Sequence, residues 1–327
     1  MNFKSFGDLT EDIKKNIGTL SSQEFDLIVG IPRSGMIPAY IIGLYLNVEV
    51  TDINNFVNNG ALSRGITRET KKGLEFAHQA KKVLLVDDSI LTGGSFRRTM
   101  NLLSVDQKKK VSTLAVYADS ISRNDLDFLL EYVPFPRVFE WNIFHRDLLG
   151  RACVSIDGVL CRNPAEEEKD DGDKYSNFLS TAKPHIIPTY KIHSLVTSRL
   201  EKYRPQTEEW LASQGVEYDH LIMQDLALKS EKSKHKAHAL HKATYYSSSK
   251  NLELFIESDI KLSKKIVQLT GRPVFCVDNN VMVTPSLLKM AFTSPKISIE
   301  LSKRRASELL PEAIKSVLRP IFRFIKS

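Results

Sequence analysis

The sequence predicts an α/β protein built from two successive parallel-sheet domains, followed by a basic amphipathic helix. Three observations carry that expectation. Short apolar or β-branched runs alternate with helical stretches through residues 1–285, the pattern of helices laid over a parallel sheet. At 327 residues the chain exceeds one ordinary domain and suits two of ~100–200 residues each. The charge is also segregated. Residues 286–327 hold nine Lys/Arg and three acids, which is +6 of the whole chain's +7, so the body before them is nearly neutral.

In the first domain, residues 1–148, strands are expected at 25–31, 46–53, 82–88, 111–118 and 137–142. Helices are expected at Met36–Leu46, Ser95–Leu103 and Asn124–Tyr132. In the second, residues 149–285, strands are expected at 152–157, 193–198, 220–224, 253–258 and 274–278. The acidic run 165–174 and the basic run 229–242 read as solvated faces. His235, His238 and His241 fall at i, i+3, i+6, a spacing that drifts around a helix rather than converging on a metal.

The tail, 286–327, places Leu310, Ile314, Val317, Leu318, Ile321, Phe322 and Ile325 at helical spacing. Pro311 suits a first turn and Pro320 should kink the helix. A basic helix with one bulky apolar face suits an anionic membrane surface, so 301–327 is the expected peripheral contact. A nearly neutral body argues against a nucleic-acid binder. No uncharged run reaches the ~18 residues of a spanning helix. Cys153, Cys161 and Cys276 form no CxxC pair. That points to a reducing, cytoplasmic setting without disulfides or zinc.

In parallel α/β sheets ligands bind where strands end. The fullest strand end is KVLLVDDSILTGGS, residues 82–95. A buried strand finishes on Asp87 and Asp88, and a turn with Thr92, Gly93, Gly94 and Ser95 then opens a helix. Glycines let backbone N–H groups converge on a phosphate, and the helix start adds a favourable field. The hydroxyls can donate to phosphate oxygens, and the carboxylates can accept from vicinal ribose hydroxyls or face Mg²⁺. No Lys follows the glycines, so this is not a Walker A loop.

This stretch resembles the phosphoribosyl-pyrophosphate (PRPP) motif of type I phosphoribosyltransferases. The resemblance implies that Asp87 and Asp88, with Ser89 beside them, meet the ribose hydroxyls. Leu91, Thr92, Gly93, Gly94 and Ser95 would hold the 5-phosphate. VGIPRSGMIPA, residues 29–39, resembles the family's pyrophosphate loop, centred on Arg33, Ser34 and Gly35. Between them, NNGALSRGITRETKKG, residues 58–73, occupies the place of the family's mobile hood, with Arg64, Arg68, Lys71 and Lys72 as candidate loop cations. The implied chemistry is displacement at ribose C1. Asp87, Asp88 and Arg33 would be the catalytic set, PRPP the donor, and Mg²⁺ the cofactor, with Asp87 and Asp88 its candidate protein ligands.

Purine-salvage members typically carry Asp at the position of Leu91, so a 6-oxopurine acceptor is disfavoured. Glu140, Trp141 and His145 in FEWNIFHR, residues 139–146, are the acceptor candidates. An acceptor hydroxyl would need a general base, for which Asp88, Glu140 and His145 are the candidates.

RACVSIDGVLCRNP, residues 151–164, resembles motif I of haloacid-dehalogenase-type phosphatases, with Asp157 as the second acid. Ser155 stands where the nucleophilic Asp belongs. Thr197 and Arg199 resemble motif II, Lys242 motif III, and Glu257 and Asp259 motif IV. Serine cannot form an aspartyl-phosphate, so this domain is expected to have weak or no phosphatase activity. The pair of domains resembles bacterial glycan phosphoribosyltransferases, which implies 5-phosphoribosyl transfer to a glycan hydroxyl for a ribofuranose-containing surface polysaccharide such as an O antigen. The acceptor could be lipid-linked, and a separate phosphatase would complete the sequence. Three alternatives remain: a pyrimidine-type salvage transferase, a non-catalytic PRPP-binding regulator, and an active phosphatase beside a vestigial transferase.

Overall fold

The computed structural model describes residues 1–63, 65, 67, 69–169, 172–225 and 231–288, with only the helical backbone described for 231–235. The candidate cations Arg64 and Arg68 and the basic tail beyond Leu288 lie outside the described residues. The chain divides into two compact units, Met1–Ile143 and Phe144–Ser327.

The first unit begins with β1 (Asn2–Lys4) and α1 (Phe6–Ser21), and continues with β2 (Leu27–Gly30), α2 (Met36–Leu46), β3 (Glu49–Asp52) and α3 (Ile53–Val57). After the segment 58–82 come β4 (Val83–Ile90), α4 (Gly94–Leu102), α5 (Val105–Lys110), β5 (Val111–Ala118), β6 (Phe128–Tyr132) and β7 (Arg137–Phe139). Five strands form one parallel sheet in the order β3-β2-β4-β5-β6. β1 and β7 make a separate parallel pair. The first strand after α1 sends the chain to β3 on one side and then to β4 on the other. The order therefore reverses between β2 and β4, and their carboxyl ends form the crevice.

Period-two alternation assigns the two faces of β4. Leu84 and Val86 pack with Leu9, Ile13, Ala39 and Ile42, on the side of α1 and α2. Val83 and Leu85 pack with Ile53, Phe56 and Phe96, on the side of α3 and α4. α1 starts at a capping box, Ser5 with Asp8, which satisfies two N–H groups reciprocally.

One expectation fails here. Asn124–Tyr132 is not a helix: Phe128–Tyr132 is an edge strand paired to β5, with Leu114 opposite Phe128 and Ala118 opposite Tyr132. The apolar run is too short for periodicity to separate the two conformations, and sheet pairing decides it. The segment 137–142 is a strand only to Phe139, after which Glu140–Asn142 turns as a 3₁₀ helix.

The second unit contains β8 (Ala152–Val154), α6 (Asp173–Thr181), β9 (Ile192–Leu200), α7 (Arg204–Ser213), β10 (Tyr218–Gln224), α8 (Glu231–Ser248), β11 (Leu254–Glu257), α9 (Ile260–Thr270), β12 (Val274–Cys276) and β13 (Val281–Val283). The sheet order is β10-β9-β8-β11-β12-β13. Five strands are parallel, but β13 returns antiparallel on β12. The sheet is thus mixed rather than purely parallel, because the short 277–280 turn allows a hairpin where a parallel strand would need a crossover. β8 lies at the centre, with β9 on one side and β11 on the other, and the order reverses there. All three cysteines are buried free thiols. No helix among the described residues is long and apolar enough to cross a membrane.

Candidate functional site

In the first unit two loops meet at the crevice between β2 and β4. The loop after β2 carries Arg33, Ser34 and Gly35 into α2, and the Pro32–Arg33 peptide is cis. Gly35 cannot carry a side chain: a Cβ there would lie 2.6 Å from Ile31 O and 2.8 Å from Val86 O. This close approach brings Ser34 against the end of β4, where its Oγ donates to Asp88 Oδ1 at 2.7 Å. Arg33 is exposed.

Near its carboxyl end β4 carries the two buried carboxylates, Asp87 and Asp88, side by side. Asp88 lies on the α1–α2 side, where Trp141 Nε1 donates to its Oδ2 at 2.6 Å and Ser89 Oγ lies 3.3 Å from the same oxygen. Asp87 lies beside it, and its Oδ1 accepts the Asp88 N–H at 3.0 Å. Burial first, and the neighbouring Asp88 carboxylate second, push Asp87 up to about 8. The pair therefore holds a proton on Asp87 at neutral pH, while Asp88 keeps donors on both oxygens.

The Leu91–Ser95 loop follows. Gly93 has φ +71° as the residue before α4, a left-handed conformation that glycine adopts without steric cost. The loop is clasped from beyond β5. Arg123 donates to Leu91 O and is held by Asp125 at 2.7 and 2.9 Å and by Asp119 at 3.4 Å. The buried Arg137 donates to Ile90 O at 2.6 Å. Arg123, Asp125 and Arg137 carry no motif of their own. Their role emerges only when β5, β6 and β7 bring them to the loop. Leu91 itself is exposed.

The hood segment does not supply all its expected cations. Lys71 N–H donates to Asn47 O at 2.8 Å, and the Lys72 ammonium sits 3.5 Å from Asp26. Glu49 accepts from Leu74 N–H at 2.8 Å and from the Thr70 hydroxyl. Asp26, Asn47 and Glu49 all flank the amino ends of β2 and β3. By residue 71 the chain has thus crossed to the edge opposite Asp88, and Lys71 and Lys72 are anchored away from the crevice.

The acceptor candidates also separate. Trp141 reaches Asp88, but as a donor within an aromatic stack rather than as a free ring. Glu140 Oε2 accepts the Phe6 N–H at 2.7 Å, so its carboxylate secures the start of α1. His145 belongs to the second unit, where its Nδ1 lies 3.1 Å from Thr189 Oγ1.

In the second unit the motif positions converge where β8, β9 and β11 end. Lys242 Nζ lies 2.6 Å from Glu257 Oε2 and 3.0 Å from Ser155 Oγ. Ser155 Oγ in turn donates to Glu257 Oε2 at 2.8 Å. All three are buried, which corrects the solvated reading of Lys242 within the basic run. The buried Arg199 grips Asp157, with Nη2–Oδ1 at 2.6 Å and Nε within 3.2 Å of both oxygens. Thr197 Oγ1 accepts the Arg199 N–H. Asp259 caps α9 through Leu262 N–H at 2.7 Å. Both charged pairs are thus neutralised internally, and no group of three or more metal-ligating side chains occurs among the described residues.

A model of the phosphoribosyl transferase domain family matches residues 4–148. Among solved structures, the chain is similar to a xanthine-guanine-hypoxanthine phosphoribosyltransferase of Helicobacter pylori, with 17% identity over 43% of this chain and 93% of that one and a TM-score of 0.33. It is also similar to a purine phosphoribosyltransferase of Pyrococcus horikoshii, with 17% identity over 43% and 92% and a TM-score of 0.31. A hypoxanthine phosphoribosyltransferase of Staphylococcus aureus gives 13% identity over 40% and 76% and a TM-score of 0.26. No curated protein matches the chain.

Proposed function

Residues 4–148 being a type I phosphoribosyltransferase domain, we propose that the chain transfers 5-phosphoribosyl from PRPP to a glycan hydroxyl and releases pyrophosphate. The observation that carries the donor half is the 2.7 Å bond from Ser34 to Asp88. It joins the loop suited to pyrophosphate to the carboxylate suited to ribose, at the reversal point of the sheet. Asp88 accepts from the ribose hydroxyls. The Leu91–Ser95 loop offers backbone N–H groups and the Thr92 and Ser95 hydroxyls to the 5-phosphate, aided by the start of α4. Arg33 and the backbone of residues 33–35 receive the leaving pyrophosphate, whose developing charge is the main thing to stabilise.

Two adjacent carboxylates fit Mg²⁺ as a minority of its ligands, the rest coming from substrate phosphates and water. Asp87 and Asp88 are the residues that would face it. When bound, the ion would offset the charge of the pyrophosphate. Among the described residues the chain builds no cage of its own.

The acceptor half rests on Leu91 and on the second unit. Leu91 presents no carboxylate where a 6-oxopurine would find one. The second unit supports a haloacid-dehalogenase-like domain without phosphatase activity. Its central β8 carries Ser155, bonded to Lys242 and Glu257, and Asp157 is committed to Arg199. A separate phosphatase would then remove the 5-phosphate, and residues 301–327 would meet the cytoplasmic membrane face near a lipid-linked acceptor. The test supplies PRPP and Mg²⁺ with ribose-lacking glycan acceptors or with nucleobases, and measures pyrophosphate release. Release with glycans is the expected result. Rapid release with uracil or a purine, and none with glycans, overturns the glycan reading in favour of nucleobase salvage.

A further inference from the structure

Asp88 is 4% exposed, and both its oxygens accept bonds from distant parts of the first unit. Ser34 reaches Oδ1 from the loop after β2, and Trp141 reaches Oδ2 from the turn after β7. An indole N–H is a donor only, and its bond to a carboxylate is charge-assisted, roughly twice as strong as a neutral one.

The indole is also held firmly. It stacks on Phe139 at 5.0 Å and 10°, with Tyr117 beyond at 6.2 Å, and Phe6 leans on it at 5.5 Å. The turn that carries it is tied to α1 through Phe6 N–H and Glu140. Tyr117 is tied in turn, its hydroxyl donating to the buried Asp12 at 3.0 Å. The donor is thus placed by a rigid stack and not by a swinging side chain.

We propose that Trp141 is a positioning residue whose indole N–H fixes the plane in which Asp88 accepts the vicinal hydroxyls of a ribose 5-phosphate group. This rests on the reading of Asp88 as the ribose contact. A carboxylate offers about four lone-pair sites. Ser34 takes one on Oδ1 and Trp141 one on Oδ2, and the long 3.3 Å bond from the rotatable Ser89 hydroxyl to Oδ2 is the one a ribose hydroxyl displaces, so each oxygen can accept one of a neighbouring pair of hydroxyls. Without the indole N–H the carboxylate can rotate about its broad terminal torsion, and the two acceptor sites no longer face the diol together. Phosphate contacts at Leu91–Ser95 are independent of this. The effect should therefore fall on discrimination between sugars, more than on retention of the phosphate.

Trp141 and Trp210 are the chain's two tryptophans. Trp210 lies buried in the second unit with its Nε1 donating to Ala182 O at 2.9 Å. In Trp210→Phe, titration with ribose 5-phosphate should shift Trp141 emission, and inorganic phosphate alone should not. Trp141→Phe keeps an aromatic ring in the stack and removes the donor. It should weaken ribose 5-phosphate binding about tenfold and erase most of the preference over 2-deoxyribose 5-phosphate shown by the unaltered chain. Where Trp141→Phe folds, the sugar preference decides, and an undiminished preference overturns the inference. Where it does not fold, the emission titration decides, and unchanged emission at saturating ribose 5-phosphate overturns it. An unaltered chain that binds neither sugar phosphate overturns the PRPP reading and this inference with it. Binding with undiminished preference sinks only the role of Trp141.

Discussion

Removing the carboxylate of Glu257 should unfold the second unit far more readily than a typical surface change. Glu257 and Lys242 are 3% and 6% exposed, with Oε2 and Nζ 2.6 Å apart. Glu257→Gln keeps the shape and strands a buried ammonium. Breaking one side of a buried pair costs about 3–5 kcal/mol. Ser155 Oγ remains 3.0 Å from Lys242 Nζ and offsets about 1 kcal/mol of that, so a loss of roughly 3 kcal/mol is expected. With a urea slope of about 2 kcal/mol per M for a unit of this size, the midpoint should fall by ~1.5 M. The assay is urea unfolding followed by Trp210 emission in a Trp141→Phe background, where Trp210 reports the second unit alone. Adding Lys242→Met should recover at least half of the loss, because it removes the buried ammonium that Glu257→Gln leaves without its counter-charge. A loss below about 1 kcal/mol for Glu257→Gln, or no recovery in the double variant, would refute the view that these motif positions form a closed internal cluster.

Gly35→Ala should destabilise the first unit by about 1–3 kcal/mol, since the added Cβ meets backbone oxygens at 2.6 and 2.8 Å; thermal melting followed by Trp141 emission checks this. Asp87 is pushed up to about 8 by burial and by Asp88, so between its ordinary value of 3.8 and about 8 the folded chain holds a proton that the unfolded chain has released. Stability of the first unit should then fall as pH rises through that window, by up to about 1.4 kcal/mol per pH unit, and Asp87→Asn should flatten the slope in melts between pH 5 and 8. Arg123→Met should raise the KM for PRPP several-fold with a smaller change in kcat, because it releases Leu91 O and the loop while leaving Asp88 in place; steady-state pyrophosphate release separates the two.

The legible parts of this chain are those whose physics is local. The strand Val83–Ile90 is apolar until its carboxylates, and residues 91–95 carry their own turn chemistry, so both stand where the sequence puts them. The strand Phe128–Tyr132 was not legible, because five residues of mixed polarity fit either period and only the vacant edge of β5 selects one. Lys71 and Lys72 illustrate the same limit at the site. A cation in a Gly-rich loop between two phosphate-type loops looks available to both. The loop's direction, however, is set by Glu49 and Asp26, which draw residues 70–74 and 81–82 to the amino ends of the strands.

Trp141 shows what separates a residue's visibility from its role. Its chemistry as an aromatic is visible in the sequence and suggests stacking on a ligand ring. In the fold the stacking surfaces are taken by Phe139 and Phe6, and the indole's polar edge is what faces the site. That outcome follows from where β4 runs: Leu84 and Val86 pack in the layer that also holds Tyr117, Phe139 and Trp141, and Asp88 lies further along the strand, within reach of the indole. Asp88 is therefore the carboxylate that meets a donor from the interior, while Asp87, one residue earlier, is the one that burial and its neighbour push up. The two acids are equivalent in the motif. Their contacts make them different: one accepts on both oxygens, from Ser34 and Trp141, and the other is the buried acid beside it.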